Sequence, residues 1–229
     1  MRPALSGISS MATRRVLEDL SADYERRSGQ AVAIQSVGGV DAARRVQAGE
    51  AFDVVILASD AIERLAAGAH LVPGSRVDLV RSPVAVAVRR GTAPPDIGSE
   101  DALRRTVLAA RTIGYSTGPS GTHLSGLFQR WGVAETLRAR VVTPPPGVPV
   151  GRLVAEGEVE LGFQQLAELI ALEGITVVGT LPPGADFITT FAGGVGASST
   201  RAAEAAALLE FLHSPEASAA KRLHGMEPA

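Results

Sequence analysis

The chain has no cysteine, one lysine (Lys221), one tryptophan and only 4% aromatic residues in 229 positions. Without cysteine there is no disulfide, no thiolate zinc site and no cysteine nucleophile. A sole lysine so near the C-terminus excludes a P-loop lysine and argues against a Schiff-base mechanism. The cationic charge is therefore almost all arginine, which reads as a bias of base composition rather than a functional use of guanidinium. Charge of one sign is also missing. Lys and Arg number 22 against 24 Asp and Glu, a formal charge of −2 and a pI near 6.1. That balance lacks the basic footprint of a nucleic-acid binder. No run of about 18 apolar residues occurs, so no membrane insertion is expected. The four histidines are scattered without paired spacing, so neither a metal site nor a cofactor is expected. Met1-Arg2-Pro3-Ala4-Leu5 runs straight into Ser6-Gly7-Ile8-Ser9-Ser10 with no apolar signal-peptide stretch. The expected location is cytoplasmic if Met1 is native; otherwise a leader has been replaced by a start codon.

What is present is a globular composition, 45% apolar, in a chain long enough for one large domain or two lobes. Strand and helix signals alternate. Val16, Leu17, Leu20 and Tyr24 make one face of a helix over residues 11–27, with Ser9 and Ser10 as candidate N-caps and Gly29 as its stop. Ala31–Ile34 reads as a short buried strand, residues 40–47 as a helix, Asp53–Leu57 as a strand and Asp60–Ala67 as a helix capped by Asp60. Val84–Val88 is strongly β and a turn-rich connector follows it. A second series then runs through helices at 99–109, 121–138, 150–156 and 164–172 and strands at 111–115, 140–143, 159–163 and 175–179. Phe187–Ala197 reads as one long strand interrupted by Gly193-Gly194, and helices at 201–213 and 215–223 close the chain. Alternation of this kind implies parallel sheets covered by helices on both faces. The β-rich segments 83–88 and 187–197 bracket the middle series. The expected organisation is one lobe from residues 1–82 plus 191–229 and another from 83–190, with a ligand cleft between them.

Several junctions are rich in small polar residues: Ser6–Met11, Ser36–Gly39 (with Gly38), Tyr115–Thr122, Pro144–Pro149 and Gln164-Gln165. Helix N-termini expose unpaired N–H groups and the positive end of the dipole, and Ser and Thr add hydroxyl donors. Each junction alone reads as an ordinary cap or turn; several on shared sheet edges point to an anion site. Within them Met11, Tyr115, Ser116, Ser120, Gly121 and Thr122 are candidate contacts. His123, in the first turn of the following helix, is a candidate hydrogen-bond donor or general base, and otherwise a satisfied histidine. Gly114-Tyr115-Ser116-Thr117-Gly118 also matches the G-x-S-x-G nucleophile elbow, with Asp186 and His213 or His224 in triad order. Against a serine hydrolase built on Ser116 stand the prolonged loop Gly118–Gly121 and the absence of an HGGG-type segment.

The order of elements, with Arg45–Ile56, Leu153–Phe163, Ser214–Ala217 and His224–Pro228, resembles the type II periplasmic solute-binding proteins, in their molybdate-binding branch. The resemblance covers nearly the whole chain. It implies an α/β fold of two lobes, each a mixed, mostly parallel sheet flanked by helices, joined by two crossing hinge strands. It implies a small anionic ligand, an ABC transporter permease as partner, a monomer, and the periplasmic location usual for the family. The family's hydroxyl and main-chain donors fall at Ser9 or Ser10, at Gly39 or Val40 with Ser36 near, at Ser120, and at Gly147 or Val148. Gln165 stands where a tyrosine is expected, and the second-loop hydroxyl is missing. An amide both donates and accepts, so the departure suggests a ligand less simple than molybdate, such as a small carboxylate. Some relatives isomerise a tricarboxylate of the aconitate type. That chemistry would need a base such as His123, with Ser120 and Ser9 as positioning groups.

Overall fold

The structure, a computed structural model, describes residues 3–145 and 147–229. In chain order the elements are β1 (Leu5–Ser10), a 3-10 turn at Met11–Thr13, α1 (Arg14–Ser28), β2 (Val32–Val37), α2 (Gly39–Gln47), β3 (Val54–Ala58), α3 (Ser59–Ala67) and β4 (Val77–Arg89). There follow α4 (Glu100–Ala109), β5 (Ile113–Tyr115), α5 (Pro119–Arg130), α6 (Ala134–Leu137), β6 (Val141–Val142), α7 (Val150–Glu156), β7 (Leu161–Gln165), α8 (Leu166–Leu169) and β8 (Ile175–Thr180). The chain ends with β9 (Ile188–Val195), α9 (Ala202–His213), α10 (Ser218–Leu223) and β10 (Glu227–Pro228). Two compact units result. One takes the chain up to Ser82 and again from Thr190 to Ala229; the other is Pro83–Thr189. The chain passes from one to the other inside β4 and inside β9.

In the first unit β1 lies between β2 and β3 and is parallel to both, and β9 runs antiparallel to β3. Ile8, Val55 and Leu57 pack with Val46 of α2 and Ile62 and Leu65 of α3. The α1 residues Val16, Leu17, Leu20 and Tyr24 are buried, and Tyr24 meets Phe211 of α9 with ring centroids 5.3 Å apart. Gly29, at φ 70°, ends α1 in the left-handed conformation that glycine adopts without penalty. In the second unit β5 is parallel to β6 and β7, and β4 pairs antiparallel with β7 and β8. Alternation along β4 splits its side chains between two cores. Val84, Val86 and Val88 join Leu103 of α4 and Leu124 and Phe128 of α5, whereas Ala85 and Ala87 join Val150 and Val154 of α7. Ser99 caps α4 by accepting from the Ala102 N–H at 3.2 Å.

Several local expectations change. Leu5–Ser10 is a strand throughout, at the centre of a parallel trio, not a junction; the helix after it opens as a 3-10 turn capped by Ser10. The strand expected as buried at 31–34 is β2, which pairs with β1 and has Ala33 and Gln35 exposed. Asp60 does not cap α3; it lies in the first turn and pairs with Arg64 at 2.8 Å. Gly193-Gly194 does not interrupt β9. The pair stays in register with Ile56 and Val55, and a Cβ there would collide with Leu209 and Leu71. The glycines are packing requirements. Gln164 and Gln165 lie inside β7 rather than beyond it.

Lys221 is 1% exposed and its ammonium nitrogen has no hydrogen-bond partner among the described residues. Burial holds its pKa below the usual lysine value. Lys221→Met should therefore raise stability by about 1–3 kcal/mol, the penalty of an unmet buried polar group. The charged form is the penalised one, so the gain should be full at neutral pH and shrink as pH climbs toward 10.5. Denaturant titrations of both proteins at pH 7 and pH 10 would show it; a destabilised variant at both would refute it.

Candidate functional site

Because β1, β2 and β3 are parallel, their carboxyl ends share one edge of the first unit's sheet, and each leads into a helix N-terminus there. The edge carries Ser10, Met11, Gly38 and Gly39 from β1 and β2, and Ser59 from β3. The two serines of the first junction differ. Ser9 is fully buried, and its hydroxyl lies 2.8 Å from that of Ser36 across the β1–β2 register. Ser10 is half-buried at the strand end, and a Cβ on Gly39 would sit 3.7 Å from its Oγ. Ser10 thus presents a hydroxyl at the edge, while Ser9 and Ser36 satisfy each other beneath α1.

The second unit repeats the arrangement. The parallel strands β5, β6 and β7 end on one edge and lead toward α5, α7 and α8. The Ser116 carbonyl folds down onto the first turn of α5, where a Cβ on Gly121 would overlap it. That close approach sets the loop from Tyr115 to Gly118. Ser120 is 2% exposed, and the Thr122 hydroxyl donates to the Gly118 carbonyl at 3.3 Å. Tyr115 packs edge-on against Phe128 at 6.0 Å, and burial pushes its phenol up. Gly147 has φ 81°, and the Val148 N–H donates to the Pro145 carbonyl at 3.1 Å, so that main-chain donor is committed within its own turn. Pro146, in the same junction, lies outside the described residues, as do Met1 and Arg2.

His123 is more constrained than expected of a base. Its Nε2 lies 2.9 Å from the Ala185 carbonyl, which only accepts, so Nε2 carries the hydrogen and Nδ1 alone is left to take a proton. Its ring stacks on Phe187 at 4.5 Å and 12°. The triad alternative finds its members engaged elsewhere. His213 donates to the Asp78 carbonyl, His224 to the Asp19 carboxylate, and Asp186 accepts from the Gly184 N–H. Among the described residues no group of three His, Asp or Glu could hold a metal ion.

The end of β7 holds what sequence reasoning only half saw. Gln164 and Gln165 are 2% and 3% exposed and, as neighbours in a strand, face opposite sides. Gln164 accepts from the Gly151 N–H in the first turn of α7 at 3.3 Å and donates to Glu168 Oε1 at 2.8 Å. Burial pushes the Glu168 carboxyl up to about 7, against the pull of that hydrogen bond. No sequence signal marked Glu168, because its environment comes from the fold around it, with Gln164 of β7 as its hydrogen-bond donor. Gln165 donates through Nε2 to the Thr189 hydroxyl at 2.7 Å.

The family model for bacterial extracellular solute-binding proteins matches residues 5–227. The chain belongs to this family. Aconitate isomerase from Pseudomonas sp is 36% identical over 98% of this chain and 87% of its own length. The periplasmic molybdate-binding protein of Azotobacter vinelandii superposes with a TM-score of 0.80 at 21% identity, covering 97% of this chain and 98% of that one. The sulfate-binding protein of Mycobacterium tuberculosis gives 0.80 at 18% identity, covering 100% and 88%. These likenesses establish the type II solute-binding fold. In this member of the solute-binding family, Gly121 is the position on which the α5 loop depends. Gly121→Ala should displace the loop at Ser116 and cost about 1–3 kcal/mol by overpacking. Chemical denaturation checks the cost; a variant as stable as the parent would show that the loop adapts freely.

Proposed function

We propose that the protein binds a small anionic solute through its strand-edge donors, and that this solute is a polycarboxylate. The observation that carries the reading is the 36% identity, over 98% of the chain, to an enzyme named for a tricarboxylate, aconitate. The donor set agrees in chemistry. It consists of hydroxyls (Ser10, Ser120) and main-chain N–H groups at the starts of α2 and α5, which hold carboxylates without a lysine. Each unit carries such a set at the carboxyl edge of its own parallel strands, and each set by itself suits a carboxylate. Thermal-shift measurements with molybdate, tungstate, sulfate, phosphate and di- and tricarboxylates test this. A tricarboxylate at 100 times its Kd should stabilise the fold by about 2.7 kcal/mol. Stabilisation by molybdate or tungstate alone would overturn the reading.

The same relative favours a second reading, isomerisation of aconitate. The proton on the methylene carbon beside the double bond is acidified by the conjugated carboxylates. Its removal gives an allylic carbanion, and its return at the far end moves the double bond. A base with a pKa near the working pH serves best, and Glu168, pushed up to about 7 just beyond the end of β7, has that property. Glu168 therefore joins His123, whose Nε2 is committed to Ala185, as a candidate base. Proton NMR of cis- and trans-aconitate in deuterated buffer should show exchange that rises with pH through about 7 and is lost in Glu168→Gln. Binding with no exchange in the parent protein would end the isomerase reading and leave solute capture for an ABC-type permease.

A further inference from the structure

The Gln165 amide is satisfied at one end only. The side chain is 3% exposed; Nε2 donates to the Thr189 hydroxyl at 2.7 Å, and Oε1 is buried with no hydrogen-bond partner among the described residues. Buried amide oxygens are nearly always paired, so an orphan of this kind calls for a missing donor. Its place in the fold says what kind. Along β7, Gln165 shares a face with Leu161 and Phe163, which pack against α5, and not with Gln164, which bonds into α7. The β5–β7 register sets Tyr115 against Phe163, so Gln165 lies at the level of the loop that leads from β5 into α5 and Ser120. An acceptor thus stands beside donors otherwise suited to an anion.

We propose that Gln165 is a specificity-determining residue whose Oε1 accepts a hydrogen bond from an O–H group of the ligand, so that the site selects a polycarboxylate carrying such a hydrogen over a fully ionised oxyanion. The inference deepens the polycarboxylate reading and rests on it. A bare dianion such as sulfate or molybdate offers only lone pairs, which the Oε1 dipole repels. The O–H has two possible sources, an alcohol hydroxyl or a carboxyl kept protonated in the site. In the structure the Thr189 hydroxyl takes an amide hydrogen, and in that orientation the amide presents its oxygen on the other side.

Isothermal titration of citrate and tricarballylate, which differ by one hydroxyl, separates the possibilities across pH 5 to 8. With an alcohol as source, citrate should bind at least about tenfold more tightly, and Gln165→Met should remove the difference. With a protonated carboxyl as source, both acids should bind with uptake of a proton and tighten as pH falls, and Gln165→Met should abolish the uptake. Thr189→Val frees the amide to turn its N–H groups to the ligand and should weaken whichever preference the parent shows. Its unfolding midpoint, and that of Gln165→Met, confirm that each variant folds. Parent-like selectivity and proton uptake in a folded Gln165→Met would overturn the assignment while leaving polycarboxylate binding intact. Failure of the parent protein to bind either acid, or any other polycarboxylate, would remove the binding reading itself, and this assignment with it.

Discussion

The antiparallel return of β9 onto β3 is the constraint on which the first unit depends. β3 is five residues long, buried at each position, and flanked on its other side by β1. Only a strand arriving from residues 188–195 closes that side, so the unit cannot be completed until most of the chain has been made. Gly193 and Gly194 admit the close packing of Leu209 and Leu71 against the returning strand. Polar contacts at the amino end of β3 secure it. Asp53 accepts from the Ser6 N–H at 2.9 Å and from the Ser199 hydroxyl at 2.6 Å, joining residues 146 positions apart. Burial pulls the Asp53 carboxyl upward, but the hydrogen bonds from Ser199 and Ser6 prevail and hold it below its ordinary value. Arg201 adds bonds to the Pro3 carbonyl and to Gln30, so both chain ends are tied into one unit. Such long-range closure implies slow, cooperative assembly rather than independent folding of the first 82 residues.

The parallel order of β1, β2 and β3 also produces the chemistry. Parallel strands that lead into helices bring several helix N-termini to one edge, and each arrives with unpaired N–H groups. The near-neutral net charge of the chain is then no obstacle to anion binding. The one lysine is buried in α10, and the donors at the strand edges are dipoles and hydroxyls. Dipolar donors discriminate by direction and by the balance of hydrogens and lone pairs, whereas a lysine ammonium acts as a point charge with little shape preference.

The periodic features were the legible ones. Helix α1, its apolar face and its glycine stop follow from spacing alone, as does the β-rich run within β4. Strand β1 was hidden because LSGISS holds only two large apolar residues, and its serines look like a cap. Burial of Ser9 becomes tolerable only when β2 supplies Ser36 opposite it, a partner 27 positions away. Edge status was equally illegible: Ala31–Ile34 has the composition of a buried strand, but β2 lies outermost because of pairing order. His123 was visible as a histidine near a helix start, yet its role turned on Ala185 and Phe187, more than 60 residues on. Glu168 offered nothing in sequence, since a carboxyl is perturbed by what closes over it.

The Gln164-Gln165 pair shows how a strand assigns different tasks to adjacent identical residues. Because successive side chains leave a strand on opposite faces, one amide enters the hydrogen-bonded chain from Gly151 to Glu168 while its neighbour meets Thr189. The first amide is used at both ends, donating and accepting, and so is fixed. The second is fixed at one end by a residue that stands immediately before the chain leaves the second unit through β9. An amide held on one side by the crossing strand and unmet on the other is poised to answer both to that strand and to whatever fills the remaining bond. Its identity as glutamine therefore carries chemical information that a purely apolar residue of the same volume would lack.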